Sequence, residues 1–147
     1  MGPEEVRQDI EDLLEAHKAM GAVRGYHFSS FEWLATKDPD FERARQEMVR
    51  RVYTPQNPVL PVKYRELIAA AILAYRNYAS CEKHLRRALR EGASMQEVIE
   101  AMEVASIPGG MPLLHFALDE LMKIEADGAG AGDGAPPSRP TNPPDRR

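Results

Sequence analysis

Apolar residues recur at a helical period along nearly the whole of this 147-residue chain, and no stretch alternates apolar with polar residues as a half-buried strand does. That pattern confines the fold to packed helices. The first stripe is Val6, Ile10, Leu13, Leu14, His17 and Met20, with Pro3 suited to a first turn and Gly21 expected to stop the helix. An irregular aromatic segment follows, Tyr26 to Leu34, with room for a short helix after Ser29. Asp38-Pro39 opens a second long helix carrying Phe41, Ala44, Met48 and Val52 on one face, and Thr54-Pro-Gln-Asn-Pro58 is a loop by its turn residues. Pro61 begins a helix bearing Tyr64, Leu67, Ile68, Ala71, Ile72 and Tyr75. A bend is expected between Arg76 and Ser80, then a helix to about Arg90 that ends at Gly92. Ser94-Met-Gln-Glu97 is a capping box ahead of Val98, Ile99, Met102 and Ala105. Ile107-Pro-Gly-Gly-Met-Pro112 should break the chain, and Pro112 opens a last helix with Leu113, Leu114, Ala117, Leu118 and Leu121. The expectation is an all-α fold of about six or seven helices.

Residues 1–126 are enough for one domain with a sizeable core. From Asp127 to Arg147, Gly and Pro supply nine of 21 residues, and no Val, Ile, Leu, Met or aromatic residue appears. A segment of that composition cannot offset its ordering entropy by burial, so 127–147 reads as a disordered tail. The formal net charge of −4 gives no pull toward nucleic acid. No apolar run approaches the roughly 20 residues of a membrane span, and the opening Pro3-Glu4-Glu5 does not read as a secretory signal. With one cysteine there is no intrachain disulfide, so a cytoplasmic location is expected.

The residues that can carry chemistry cluster between Tyr64 and Gly92. Cys81 precedes His84 by three positions, which puts thiol and imidazole on one helix face. Glu66 lies among Leu67 and Ile68 on an otherwise apolar helix, and a chain folding back after it would carry the carboxylate to that pair. A Glu–His pair suits proton transfer near neutral pH, and a thiol beside His suits nucleophilic or peroxide chemistry. Each residue also has an ordinary role: a lone Cys is usually a small buried hydrophobe, His84 can sit at a helix interface, and Glu66 can be a first-turn carboxylate favoured by the helix dipole. His17 and His27 have no partner pattern and read as structural, and His115 is a weaker candidate beside the Gly-Gly-Met-Pro break. Arg76, Lys83, Arg86, Arg87 and Arg90 form a solvated basic face or, with one or two turned inward, a carboxylate receptor. No His-x-x-x-His or Cys-x-x-Cys is present, and one Cys–His pair falls short of the three or four ligands zinc needs.

Taken in order, Asp38-Pro-Asp-Phe41, Lys63-Tyr-Arg-Glu-Leu-Ile68, His84-Leu-Arg-Arg-Ala-Leu-Arg-Glu-Gly-Ala-Ser94, Glu97-Val-Ile-Glu-Ala101 and Gly110-Met-Pro112 resemble the carboxymuconolactone decarboxylase family, which includes the AhpD-like alkylhydroperoxidases. The resemblance runs over roughly Phe31 to Met122. It implies an all-helical fold with an αα-hairpin core, assembly into trimers or hexamers, and a site near subunit interfaces built from Glu66 and His84. The AhpD-like branch carries Cys-x-x-Cys before its His, with four residues from the second Cys to the His. Here there is one Cys, three residues before His84. Counting back from His84 puts Asn77 and Ser80 at the cysteine positions, whereas counting forward from Glu66 puts Tyr78 and Cys81 there. Either way a dithiol cycle within one subunit is excluded, which leaves the chain nearer the decarboxylase-type branch, whose reaction needs neither metal nor organic cofactor.

Three functions follow as expectations. The first is acid/base chemistry without a cofactor, decarboxylation or proton transfer on a small carboxylate or lactone, with His84 moving the proton, Glu66 orienting it and Cys81 lining the pocket. The second is a one-cysteine thiol peroxidase or redox-responsive protein acting through Cys81. The third is an oligomeric binding protein without catalysis, in which the Glu66/His84 region would be closed and dry.

Overall fold

The computed structural model describes residues 2–128, and within them it is all-α, with seven helices and no strand: α1 (Pro3–Arg24), α2 (Ser29–Ala35), α3 (Pro39–Tyr53), α4 (Val62–Tyr75), α5 (Cys81–Arg90), α6 (Met95–Gly109) and α7 (Met111–Ala126). Of the expected tail, Asp127 and Gly128 form a turn after α7, and the rest lies outside the described residues. Several boundaries are set by local chemistry. Asp38 Oδ1 accepts from the Phe41 amide at 3.0 Å to cap α3, with Pro39 at the first helical position. Ser94 and Glu97 close the expected capping box on α6, at 3.0 and 2.8 Å.

Two expected breaks lie elsewhere. Gly21 does not stop α1, which continues to Arg24. It is buried, and a Cβ there would come within 3.0 Å of His27 Cβ, so its smallness serves packing. Gly25 ends the helix instead, at φ +78°. The Ile107–Pro112 break is narrower than expected, because α6 continues through Pro108 to Gly109. Proline costs a helix most in its interior; here it falls in the last turn, and the carbonyl it deprives belongs to exposed Val104. The turn itself is Gly110, at φ +86°.

α4 and α5 fold against each other as an αα-hairpin across the break at Arg76–Ser80, where Asn77 takes φ +51°. Small side chains, Ala70, Ala74 and Ala88, let the two backbones approach, and α6 and α7 close the core with Val98, Met102, Leu121 and Ile124. α1, α2 and α3 form a second layer. Its α1–α3 contact is polar: fully buried Glu42 accepts from Arg45 at 2.6 Å and from Gln46 at 2.9 Å, and Gln46 also donates to Leu13 O at 3.1 Å. The apolar face of α3 consequently looks outward, with Phe41 and Met48 each 60% exposed. α4 divides its apolar residues, Leu67 inward and Tyr64, Ile68, Ile72 and Tyr75 outward. Among the described residues no helix is long and apolar enough to cross a membrane.

Candidate active site

The αα-hairpin brings Glu66 and His84 together. Glu66 lies in the second turn of α4, past the dipole-favoured first turn, and faces α5. His84 and Arg87, three residues apart, share one face of α5 and grip the two carboxylate oxygens: His84 Nδ1 donates to Oε2 at 2.7 Å and Arg87 Nη1 to Oε1 at 2.9 Å. All three side chains are buried. A buried carboxylate needs a compensating cation, and Arg87 supplies it while donating also to Tyr53 O at 3.2 Å and Glu91 Oε1 at 3.4 Å. Because a carboxylate only accepts, the pair assigns the proton to Nδ1 and leaves Nε2 as the ring nitrogen for chemistry.

Behind His84 lies the segment between α1 and α2. The Tyr26 hydroxyl is 3.4 Å from both ring nitrogens, longer than a normal directed hydrogen bond and shared evenly between them. Arg24 donates to that hydroxyl and stacks its guanidinium on the rings of Tyr26 and Tyr53, at 4.4 and 4.5 Å. Burial first, then the Glu66 charge, raises both phenols above their ordinary range, so they remain protonated hydrogen-bonding groups.

In front of His84 is an open cavity of about 360 Å³, lined by Phe28, Ser30, Phe31, Tyr53, Ala69, Ile72, Leu73, Tyr78, Ser80 and His84. Cys81 is absent from these walls, contrary to the expected pocket-lining role. It is fully buried in the apolar core with Leu67, Ala74 and Leu85, and burial, followed by the charges of Glu120 and Glu82, pushes its thiol up to about 12. One turn of helix separates it from His84, and it shares its core cluster with Leu113, Ala117, Leu121 and Ile124 of α7, the helix that also carries Glu120. The structure therefore joins carboxylate and imidazole and leaves the thiol apart.

Arg87 belonged to a basic run whose spacing did not reveal the inward member; its position one turn after His84 is the signal in hindsight. Tyr26, Arg24 and Tyr53 carried no motif. His115 is exposed and pairs with Asp119 at 3.3 Å, away from the cavity walls. His17, with no partner evident in sequence, lies 3.9 Å from Glu42 and edge-on to His27. Among the described residues no three His, Cys, Asp or Glu side chains converge in a way that could hold a metal ion.

The model of the family described as "Carboxymuconolactone decarboxylase family" matches residues 39–121. A candidate carboxymuconolactone decarboxylase from Burkholderia xenovorans LB400, solved by crystallography, superposes with a TM-score of 0.71 at 26% identity, covering 82% of this chain and 97% of that one. No curated protein sequence matches the chain. The match over 39–121 encloses α3 to α6, most of α7 and the whole Glu66–His84–Arg87 cluster, and on it the chain belongs to the carboxymuconolactone decarboxylase family.

Proposed function

We propose that the protein is an enzyme of general acid/base chemistry, decarboxylation or proton transfer on a small carboxylate or lactone, in which His84 moves the proton through Nε2 and side chains alone do the work. The observation that carries this reading is the 2.7 Å Glu66–His84 contact on the wall of an open cavity. Glu66, held by Arg87, orients the ring and stabilises the imidazolium formed when Nε2 takes a proton. With that proton drawn from solvent, its delivery to the enolate-like carbon left when carbon dioxide departs would complete a cycle in which His84 returns to its starting state. His84→Gln keeps the side chain's approximate bulk and removes the proton carrier. With carboxymuconolactone as trial substrate, it is expected to lose about 10²–10⁴-fold in kcat with the helical circular-dichroism spectrum unchanged; full turnover by the variant would overturn the assignment.

The one-cysteine peroxidase reading has less support, since a buried thiol raised to about 12 holds little thiolate at neutral pH. The open cavity likewise speaks against a site that has lost its chemistry. Copies of the chain are proposed to associate through the outward apolar faces. Ile72 belongs both to such a face and to the cavity wall, so association would border the site.

A further inference from the structure

Two buried nitrogens on α1, His17 Nε2 and Arg24 Nε, have no hydrogen-bond partner on the protein. Among the described residues no other buried side-chain nitrogen or oxygen is left so. Buried polar groups are ordinarily satisfied, so two orphans close together ask for a cause. Both side chains, 6% and 9% exposed, line one small cavity, together with Tyr26, His27 and Arg45. Its volume of about 20 Å³ holds one water-sized body and no organic acid. None of the outward apolar residues of α3 and α4 lines it.

Charge decides what that body is. Arg24 donates to the Tyr26 hydroxyl and lies on the Tyr26 and Tyr53 rings, but among the described residues it forms no ion pair. The carboxylates of this region are engaged elsewhere. Glu42 accepts from Arg45 and Gln46, Glu66 from Arg87 and His84, and Glu32 stands 3.9 Å from His27. A water would satisfy the Nε proton of Arg24. An anion would satisfy it and also balance a guanidinium that is otherwise buried without a counter-ion.

His17 makes the site conditional. Its Nδ1 lies 3.9 Å from Glu42 Oε1, the side on which a proton is favoured. With that proton alone, Nε2 presents a lone pair and repels an anion; with both nitrogens protonated, Nε2 donates. The groups that bear on this ring come from each neighbouring element: Glu42 and Glu32 favour its charged form, whereas burial, Arg45 and His27 oppose it. An anion beside Nε2 would add to the first set.

We propose that the cavity at His17 and Arg24 binds a single halide ion, chloride in ordinary salt solutions, and that His17 takes up a proton with it. The proposal goes beyond the acid/base reading and does not rest on it.

The probes are sodium chloride, sodium bromide and sodium gluconate at one ionic strength, with binding followed by the chloride NMR linewidth and by the ring nitrogen resonances of His17 in the unaltered protein. Chloride and bromide are expected to move those resonances saturably toward the imidazolium position, and gluconate, too large for the cavity, to leave them in place. Because a proton enters with the ion, affinity should rise by as much as about tenfold per pH unit between about pH 7 and about pH 5. His17→Phe should remove that pH dependence, and Arg24→Gln should remove the protein-induced line broadening. If Arg24→Gln does not fold, the His17 resonances of the unaltered protein decide. His17 resonances that respond alike to chloride and gluconate would overturn the proposal and leave the cavity to water. Halide affinity that ignores pH, or that survives Arg24→Gln in a folded variant, would place the ion elsewhere and overturn it as well.

Discussion

Arg87 stands outside the cavity wall yet holds the carboxylate that orients His84. Its guanidinium balances Glu66, which is fully buried and would otherwise be a charge without a counter-ion. Arg87→Met is therefore expected to destabilise the fold by about 3–5 kcal/mol, the usual result of breaking one side of a buried ion pair. The further change Glu66→Leu should recover much of that loss; urea denaturation of the two variants measures both steps. An unaltered midpoint in Arg87→Met would mean that Glu66 is compensated in another way. At this scale the sequence disclosed the pair that meets, Glu66 and His84, because an acidic residue on an apolar helix and a lone imidazole after a break are visible locally. Which arginine turned inward and which tyrosines stood near His84 depended on where α1 and α3 come to rest, and periodicity carries no such information.

Helix ends were readable wherever a side chain makes its own cap, as at Asp38 and at Ser94 with Glu97. They were misread where neighbours decide, as at Gly21 and Pro108. Orientation of a helix about its axis was hidden for the same reason: α3 has a clear apolar stripe, yet it buries Glu42 and Gln46 against α1. That inverted contact should make α1–α3 docking acid-sensitive. Burial lowers His17 below its ordinary 6.5, so the folded protein favours neutral imidazole, and the resulting stabilisation is complete above about pH 6.5 and disappears as pH falls through the lower folded value. Burial alone would push the Glu42 carboxyl up, but hydrogen bonds from Arg45 and Gln46 and the Arg45 charge outweigh it and hold it low, so protonation at still lower pH costs stability in the same direction. His17 Nε2 is buried without a partner, so a proton there finds no acceptor on the protein, and burial outweighs the pull of the Glu42 charge on the other side of the ring. Unfolding free energy by urea is expected to decline as pH falls below about 6.5, and His17→Phe should flatten the decline. A profile indifferent to that substitution would rule His17 out as its source.

For the whole molecule, the outward residues of α4, Tyr64, Ile68, Ile72 and Tyr75, form an apolar face too continuous to be scattered surface. If copies associate there, Ile68→Glu should shift the sedimentation coefficient toward that of a 16.5 kDa monomer while the circular-dichroism spectrum stays helical. An unchanged coefficient would exclude this face as the contact. Membership in the family was legible from its ordered blocks because those blocks build the hairpin and the Glu–His pair. The ligand was not legible, and the reason lies in the layout of the chain. The family match begins at residue 39, whereas Phe28, Ser30 and Phe31 of the cavity wall, and Tyr26 behind His84, precede it. Part of the cavity wall thus lies on a stretch separate from the proton carrier, while Tyr53, Ala69, Ile72, Leu73, Tyr78 and Ser80 share the matched stretch with it. Exchanging residues 1–38 would remodel the Phe28, Ser30 and Phe31 side of the cavity while leaving Glu66, His84 and Arg87 in place.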